Sequence, residues 1–402
     1  MKLEKLLVLS GDGIGPSITK SAEEVLKAVA PDSLEIVHGD IGQSAYESTG
    51  SYLPHETMDL LDECKVILSG PVNIPEGVKD PLKILKIQLD IYSRGRFYKT
   101  LSPDLGVKDM DVTLWSSYNN IANEITEVKD FDGITISKYI KSNAYSRMMT
   151  VALSDVEIRG LKNIICLSRE DFFPISSGMF NEAFDTLFSS DELVTEHLNV
   201  KDWMSKIFKD PLRNDCIVCV DLYNQIVAGV LSGMTGNENI FPTVYKGSDY
   251  SIYEPNFTSE IEGFEEGYAN PTSSIIATAI ILDNMGLKEE GENIINALCE
   301  AYQSKERTGH YKNCEECRPR RTGRTVQGDF RLTEEGAGHQ LRSPGYQDQR
   351  RKAQRGRYAD RIHHPARQRR TDEDYRRSAV SCQICFNIQR TRTLHSGYLP
   401  HW

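Results

Sequence analysis

LLVLSGDGIGPSITKSAEEVLKAV spans residues 6–29, and its two halves follow different hydrophobic periods. Residues 6–9 are a short, continuous apolar run, the pattern of a strand buried on both faces. Gly11-Asp12-Gly13-Ile14-Gly15-Pro16 then interrupts it with turn residues. Beyond the turn, Ile18, Ala22, Val25, Leu26 and Val29 recur at helical spacing. A strand feeding a helix through a glycine-rich turn is the building unit of an α/β fold. The glycine spacing differs from GxGxxG, so the turn does not predict a Rossmann dinucleotide fold.

The unit repeats along the chain. Apolar runs predict strands at 34–37, 65–68, 112–114, 133–136, 163–167 and 216–220. Helical periods predict helices at 55–61, 82–89, 177–188 and 222–231. Asn270-Pro271 opens a long helix to about 283, with Asn270 as N-cap and Pro271 at its first position. A last helix is expected from 291 or 292 to 302. No internal repeat is visible.

The charge is divided along the chain of 402 residues. Residues 1–305 carry 20 Lys and 6 Arg against 47 acids, a net of −21. Residues 306–402 carry 2 Lys and 19 Arg against 11 acids, a net of +10. Apolar periodicity stops at the same border, and the segment 306–402 reads as a disordered or aberrant Arg-rich tail. No apolar run reaches the ~18 residues of a membrane helix. With nine cysteines and no leader-like N-terminus, a cytoplasmic location is expected and no membrane partner. The acidic body argues against nucleic-acid binding; the basic tail alone offers phosphate contacts, and nucleic acid is not the expected partner.

Cys216-x-x-Cys219 falls within an apparent buried strand, which sends the two thiols to opposite faces. Cys314-x-x-Cys317 and Cys382-x-x-Cys385, with His310 nearby, lie too far apart for a common zinc ribbon.

Three segments together resemble the isocitrate/isopropylmalate dehydrogenase family of metal-dependent decarboxylating dehydrogenases. They are LVLSGDGIGP (7–16), GDIGQSAYESTGSYLPHETMDLL (39–61) with KVILSGPVNIPEG (65–77), and YEPNFTSEIEGFEEGYANPTSSIIATAIILDNMG (253–286). The segment after Ser69 looks more like the isocitrate branch. The resemblance covers residues 3–303. It implies a two-domain α/β fold that is not Rossmann, with a cleft between a large domain (1–105 and 254–305) and a small domain with a dimer-forming segment (106–253). It also implies NAD(P) and magnesium as cofactors, a small-molecule carboxylate as substrate, and a homodimer or a heteromer with an active family subunit.

The resemblance assigns roles residue by residue, and many are replaced. Two of the three metal aspartates fall on Gln225 and Gly229, in the segment Asp221-Leu222-Tyr223-Asn224-Gln225-Ile226-Val227-Ala228-Gly229. The third falls on Lys201. Asp202 and Asp221 are the nearby acids that could stand in, although a one-residue slip turns a helical side chain by ~100°. Of the substrate cations, Lys86 and Arg96 remain, and the third falls near Ser116, in a segment where the family's motif is gone. Arg96 reads equally as a carboxylate ligand or as a solvated arginine at a helix end. The substrate serine and asparagine positions carry Asp80 and Leu82, and an acid there opposes a tricarboxylate. The acid–base tyrosine falls on Asn123, with Tyr118 close by, and the lysine falls on Arg169. Arginine stays charged near neutral pH and cannot relay a proton. For the nucleotide, Gly13, Glu254, Ser259 and Asn270 remain, while the adenine histidine is Phe257. The expectation is a family scaffold that is catalytically impaired or non-catalytic. The alternatives are an active NAD(P)- and Mg-dependent dehydrogenase and, last, a nucleic-acid binder acting through the tail.

Overall fold

The computed structural model describes residues 4–106, 109–118, 126–211, 215–256 and 269–303. In chain order the elements are β1 (Glu4–Leu9), α1 (Gly15–Val29), β2 (Leu34–Gly39), α2 (Gln43–Thr49), α3 (His55–Asp59), β3 (Val66–Ser69), α4 (Pro81–Gln88) and β4 (Ser93–Lys99). They continue with β5 (Asp111–Ser117), β6 (Thr126–Lys129), β7 (Ile134–Ser137), α5 (Ala144–Arg159), β8 (Asn163–Ser168), α6 (Pro174–Leu187), β9 (Val194–Asn199), α7 (Val200–Ile207) and β10 (Cys216–Cys219). The last are α8 (Asp221–Thr235), β11 (Pro242–Lys246), β12 (Ser251–Pro255), α9 (Thr272–Asn284) and α10 (Lys288–Gln303).

Among the described residues, ten strands form one sheet in the order β2-β1-β3-β12-β11-β4-β5-β10-β8-β9. β2, β1, β3 and β12 pair in parallel, as do β5, β10, β8 and β9. β11 and β4 lie between these wings and pair antiparallel to both neighbours. The carboxyl ends of the two wings therefore point in opposite directions. This is the mixed α/β architecture that the alternating periods predict.

Burial explains the apolar runs. Leu6, Leu7, Val8 and Leu9 are fully buried, as a strand covered on both faces requires. α9 is buried on every side from Thr272 to Leu282, so its near-uniform apolar sequence is that of a core helix. Its start differs by one residue from the sequence expectation: Pro271 precedes the first turn. The Asn270 side chain still caps it, accepting from the Thr272 amide at 3.1 Å and the Thr272 hydroxyl at 2.7 Å.

The strand expected at 133–136 exists as β7, but it pairs with β6 in a separate exposed hairpin. Its alternation is that of a half-buried strand, yet both faces are exposed and Ile134 and Ile136 are left uncovered among the described residues. Among the described residues no helix is long and apolar enough to cross a membrane. The tail 306–402 and its four cysteines lie outside the described residues.

Candidate active site

The Gly11–Gly15 turn positions the first half of the site. Gly11 and Gly13 adopt φ of +68° and +57°, the left-handed region that favours glycine. Between them, the Asp12 carboxylate accepts from three backbone amides: Gln43 at 2.8 Å, Ser44 at 2.9 Å and Asn73 at 2.7 Å. One side chain thus ties the β1–α1 turn to the start of α2 and to the loop after β3. Gly13 belongs to this structural turn.

That loop, residues 70–78, lines a cleft of about 570 Å³ with Asp80, Leu82, Glu254 and Pro255. Lys86 of α4 reaches the opposite side of Glu254, its Nζ lying 2.6 Å and 2.8 Å from the two carboxylate oxygens. The pair is almost dry, with side chains 7% and 15% exposed. Lys86 also lies 3.9 Å from the centre of the Tyr245 ring and 5.9 Å from that of Tyr118. Burial pulls the Lys86 ammonium down, but Glu254 and the two tyrosines outweigh it, and the lysine sits above its ordinary value. Burial pushes the Tyr118 phenol up to about 12, against the pull of Lys86.

Asp80 has a role that its charge concealed. It caps α4, accepting from the amides of Leu82 at 2.8 Å and Lys83 at 3.3 Å. Asp-Pro ahead of an apolar period is an N-cap followed by Pro at the first helical position, a signal present in the sequence.

β4 carries the remaining cations on one face. Arg96 is buried within this central strand, not solvated at a helix end. The helical reading failed because β4, with the sequence SRGRFYK, shows no apolar alternation. Register sets Arg96 opposite Thr243 of β11 and Leu114 of β5. Its Nη1 donates to Gln225 Oε1 at 3.1 Å, and its Nε donates to Thr243 Oγ1 at 3.3 Å. Glu238 lies 3.7 Å away. Gln225 is the position where the resemblance places a metal aspartate, so the retained arginine is bonded to the replaced metal ligand.

Arg94, two residues earlier, was missed by sequence reasoning. Its Nη2 donates to Asp221 Oδ1 at 3.0 Å, while Lys138 donates to Asp221 Oδ2 at 2.5 Å. The i, i+2 spacing of Arg94 and Arg96 would have put both on one strand face had β4 been recognised.

The other site residues are dispersed. Asp202 is exposed in the first turn of α7, next to exposed Lys201. Arg169 is held by its neighbour Asp171 through two hydrogen bonds of 2.9 and 3.1 Å. Asn270 is spent on capping α9. Asn123, Ser259 and Phe257 lie outside the described residues. Among the described residues, no three His, Cys, Asp or Glu side chains converge as a metal would need. Asp221 is already neutralised by two cations. These residues do not fit a divalent cation.

The sequence profile of the family described as isocitrate/isopropylmalate dehydrogenase matches residues 5–319. The 3-isopropylmalate dehydrogenase of Saccharolobus solfataricus is 27% identical over 321 residues, covering 75% of this chain and 92% of its own. The homoisocitrate dehydrogenase of Methanocaldococcus jannaschii is 23% identical over 310 residues, covering 73% of this chain and 89% of its own. Among solved structures, the apo β-decarboxylating dehydrogenase of Thermococcus kodakarensis superposes with a TM-score of 0.73 at 15% identity, covering 99% of this chain and 100% of its own. The isocitrate dehydrogenase of Methylococcus capsulatus gives a TM-score of 0.64 at 20% identity, covering 78% and 96%. Structural likeness at such identities speaks for the fold; the profile, spanning most of the chain, shows that this protein belongs to the isocitrate/isopropylmalate dehydrogenase family.

Proposed function

We propose that this chain keeps the family scaffold without the family's turnover, and serves as a regulatory or structural partner of another family chain. One observation carries the reading: each cation at or beside the substrate positions is satisfied from within the protein. Lys86 is paired with Glu254, Arg96 with Gln225 and Thr243, and Arg94 with Asp221. At Lys86 and Arg94 a substrate carboxylate would have to displace a partly buried carboxylate and leave it uncompensated, whereas Arg96 is held by two neutral groups with Glu238 3.7 Å away. The metal positions reinforce it. Lys201 puts a cation where a cation should bind, and Gln225 and Gly229 supply no carboxylate. Arg169 cannot take the lysine's part in proton transfer, a step typically worth ~100- to 10,000-fold.

Of the nucleotide positions, Glu254 faces Lys86 and Asn270 faces Thr272 and Tyr302, so neither is free for a cofactor. The partner reading draws on large exposed apolar side chains: Phe131, Ile134 and Ile136 of the hairpin, with Phe172, Ile175 and Ile226.

The dehydrogenase names of the relatives favour the alternative, an active NAD(P)- and Mg-dependent enzyme decarboxylating a 2-hydroxy acid. Absorbance of reduced nicotinamide separates the two. Purified protein is supplied with Mg²⁺, NAD or NADP, and isocitrate, homoisocitrate or isopropylmalate. The proposal expects no turnover above a no-protein control; sustained turnover with any of the three overturns it.

A further inference from the structure

A second cavity, of about 530 Å³, lies among β4, α5, α9 and α10, and no residue of the candidate active site lines it. Strand parity keeps the two apart. Arg94 and Arg96 reach from β4 to Asp221 and Gln225 of α8. Phe97 leaves the opposite face of β4, lines the cavity and packs edge-on against Trp115. Ile158, Ile276, Ile280 and Ile295 extend this apolar wall.

The acids that face the wall differ in what holds them. Asp111 sits between Lys99 and Arg159. Asp215 accepts from the amides of Lys162 and Asn163 at 3.1 and 3.0 Å. Asp155, 2% exposed, accepts from the Trp115 indole at 3.1 Å and has no ion pair among the described residues. The Asp283 carboxylate, at the end of α9, has neither a hydrogen bond nor an ion pair among them. Burial pushes Asp283 up to about 6, with Glu292 and Asp155 adding to the rise against Arg159 and Lys288. Burial also raises Asp155, against Arg159, the Trp115 indole, Lys246 and Thr113. The chain therefore places an unpaired carboxylate, with a second acid beside it, against apolar surface sheltered from water, where an ionised acid without a counter-ion is costly.

We infer that this cavity binds an organic ammonium ion with an apolar or aromatic body. The ammonium donates to Asp283, and the body lies against Phe97, Ile276, Ile280 and Ile295. A polyamine is excluded, because the apolar wall offers a second ammonium no partner. A metal ion is excluded too, since no three ligating side chains converge among the described residues. The site does not depend on whether the family reaction survives.

The test is calorimetric titration of the full chain with phenethylamine and with phenethyl alcohol, its neutral counterpart. The inference expects saturable binding of the amine at one site per chain, and binding of the alcohol weaker by about tenfold or more, the worth of a charge-assisted hydrogen bond. At about pH 6 the amine expels a proton from Asp283, because the ammonium favours the ionised carboxylate; the heat then varies with the ionisation enthalpy of the buffer, and that variation fades by about pH 8. Asp283→Asn weakens the amine by about tenfold or more and abolishes the proton release. The same variant keeps or raises the unfolding temperature at neutral pH, because it removes an uncompensated charge; a purely structural carboxylate would lower it. No saturation, equal binding of the alcohol, unchanged binding by Asp283→Asn, or no proton release at about pH 6 overturns the inference.

Discussion

Glu254→Gln tests the internal neutralisation where it is driest. The substitution keeps an acceptor for Lys86 but removes the charge that compensates it. At 2.6 Å the gross attraction is about 6 kcal/mol for an effective dielectric of 20. Desolvation offsets much of that, and removing one partner of a buried pair typically costs about 3–5 kcal/mol. Glu254 keeps 15% exposure, which places the expected loss near the lower end, at about 3 kcal/mol. At roughly 2–4 °C per kcal/mol, the unfolding temperature drops by about 6–12 °C. Urea unfolding followed by circular dichroism reads the change as a lower midpoint with an unchanged slope. The double variant Lys86→Met/Glu254→Leu replaces the pair by apolar groups and returns to within about 1 kcal/mol of the parent. A Glu254→Gln variant within about 0.5 kcal/mol of the parent would show that Lys86 is not held by this partner.

Other substitutions probe the frame around the site. Asp12→Ala strands the amides of Gln43, Ser44 and Asn73 and costs about 3 kcal/mol in the same urea experiment, at about 1 kcal/mol per lost bond; an unchanged midpoint contradicts the three-way tie. Burial, opposed by Arg159 and aided by Glu292, pushes Asp283 up to about 6, above its ordinary carboxylate value. An acid raised on folding holds its proton longer in the native state, so stability falls as pH rises from about 4 to about 6 and the penalty persists above. Asp283→Asn therefore gains about 1 kcal/mol at pH 7.5, once solvent screening is allowed for, and flattens that part of the pH profile. Cys64, Cys166, Cys216 and Cys219 are buried with thiols pushed up chiefly by burial. Peptide mapping after brief iodoacetamide treatment should find Cys299 labelled before any of these four.

The sequence was most legible where one physical effect dominated. The buried parallel strands β1, β3, β8 and β10 read directly, because strands covered on both faces are continuous apolar runs. α1 and α9 read from their period and their turn residues. β4 did not, because SRGRFYK carries two arginines into the middle of a sheet. Those arginines are tolerated there only because Asp221, Gln225 and Thr243 arrive from elements more than a hundred residues away. Spacing within one segment cannot reveal such partners. Nor could it tell that Asp80 faces its own helix rather than a ligand, although the Asp-Pro pair carried that information. α5 escaped notice because its polar side chains are interleaved with Met148, Met149 and Ala152. The resemblance assigned residues to chemistry only as positions along the chain. Their partners came only from the fold: Glu254 closes Lys86 into an internal ion pair, and Gln225 and Thr243 occupy the donors of Arg96.

Mn²⁺ binding is the most direct test of the central claim, because it asks about the site before any turnover. Free Mn²⁺ is followed by electron paramagnetic resonance as full-length protein is titrated in the presence of isocitrate. With Lys201, Gln225 and Gly229 at the metal positions and Asp221 tied to Arg94 and Lys138, the free-ion signal should match that of a protein-free control. Loss of the signal at one Mn²⁺ per chain, dependent on isocitrate, would contradict the account.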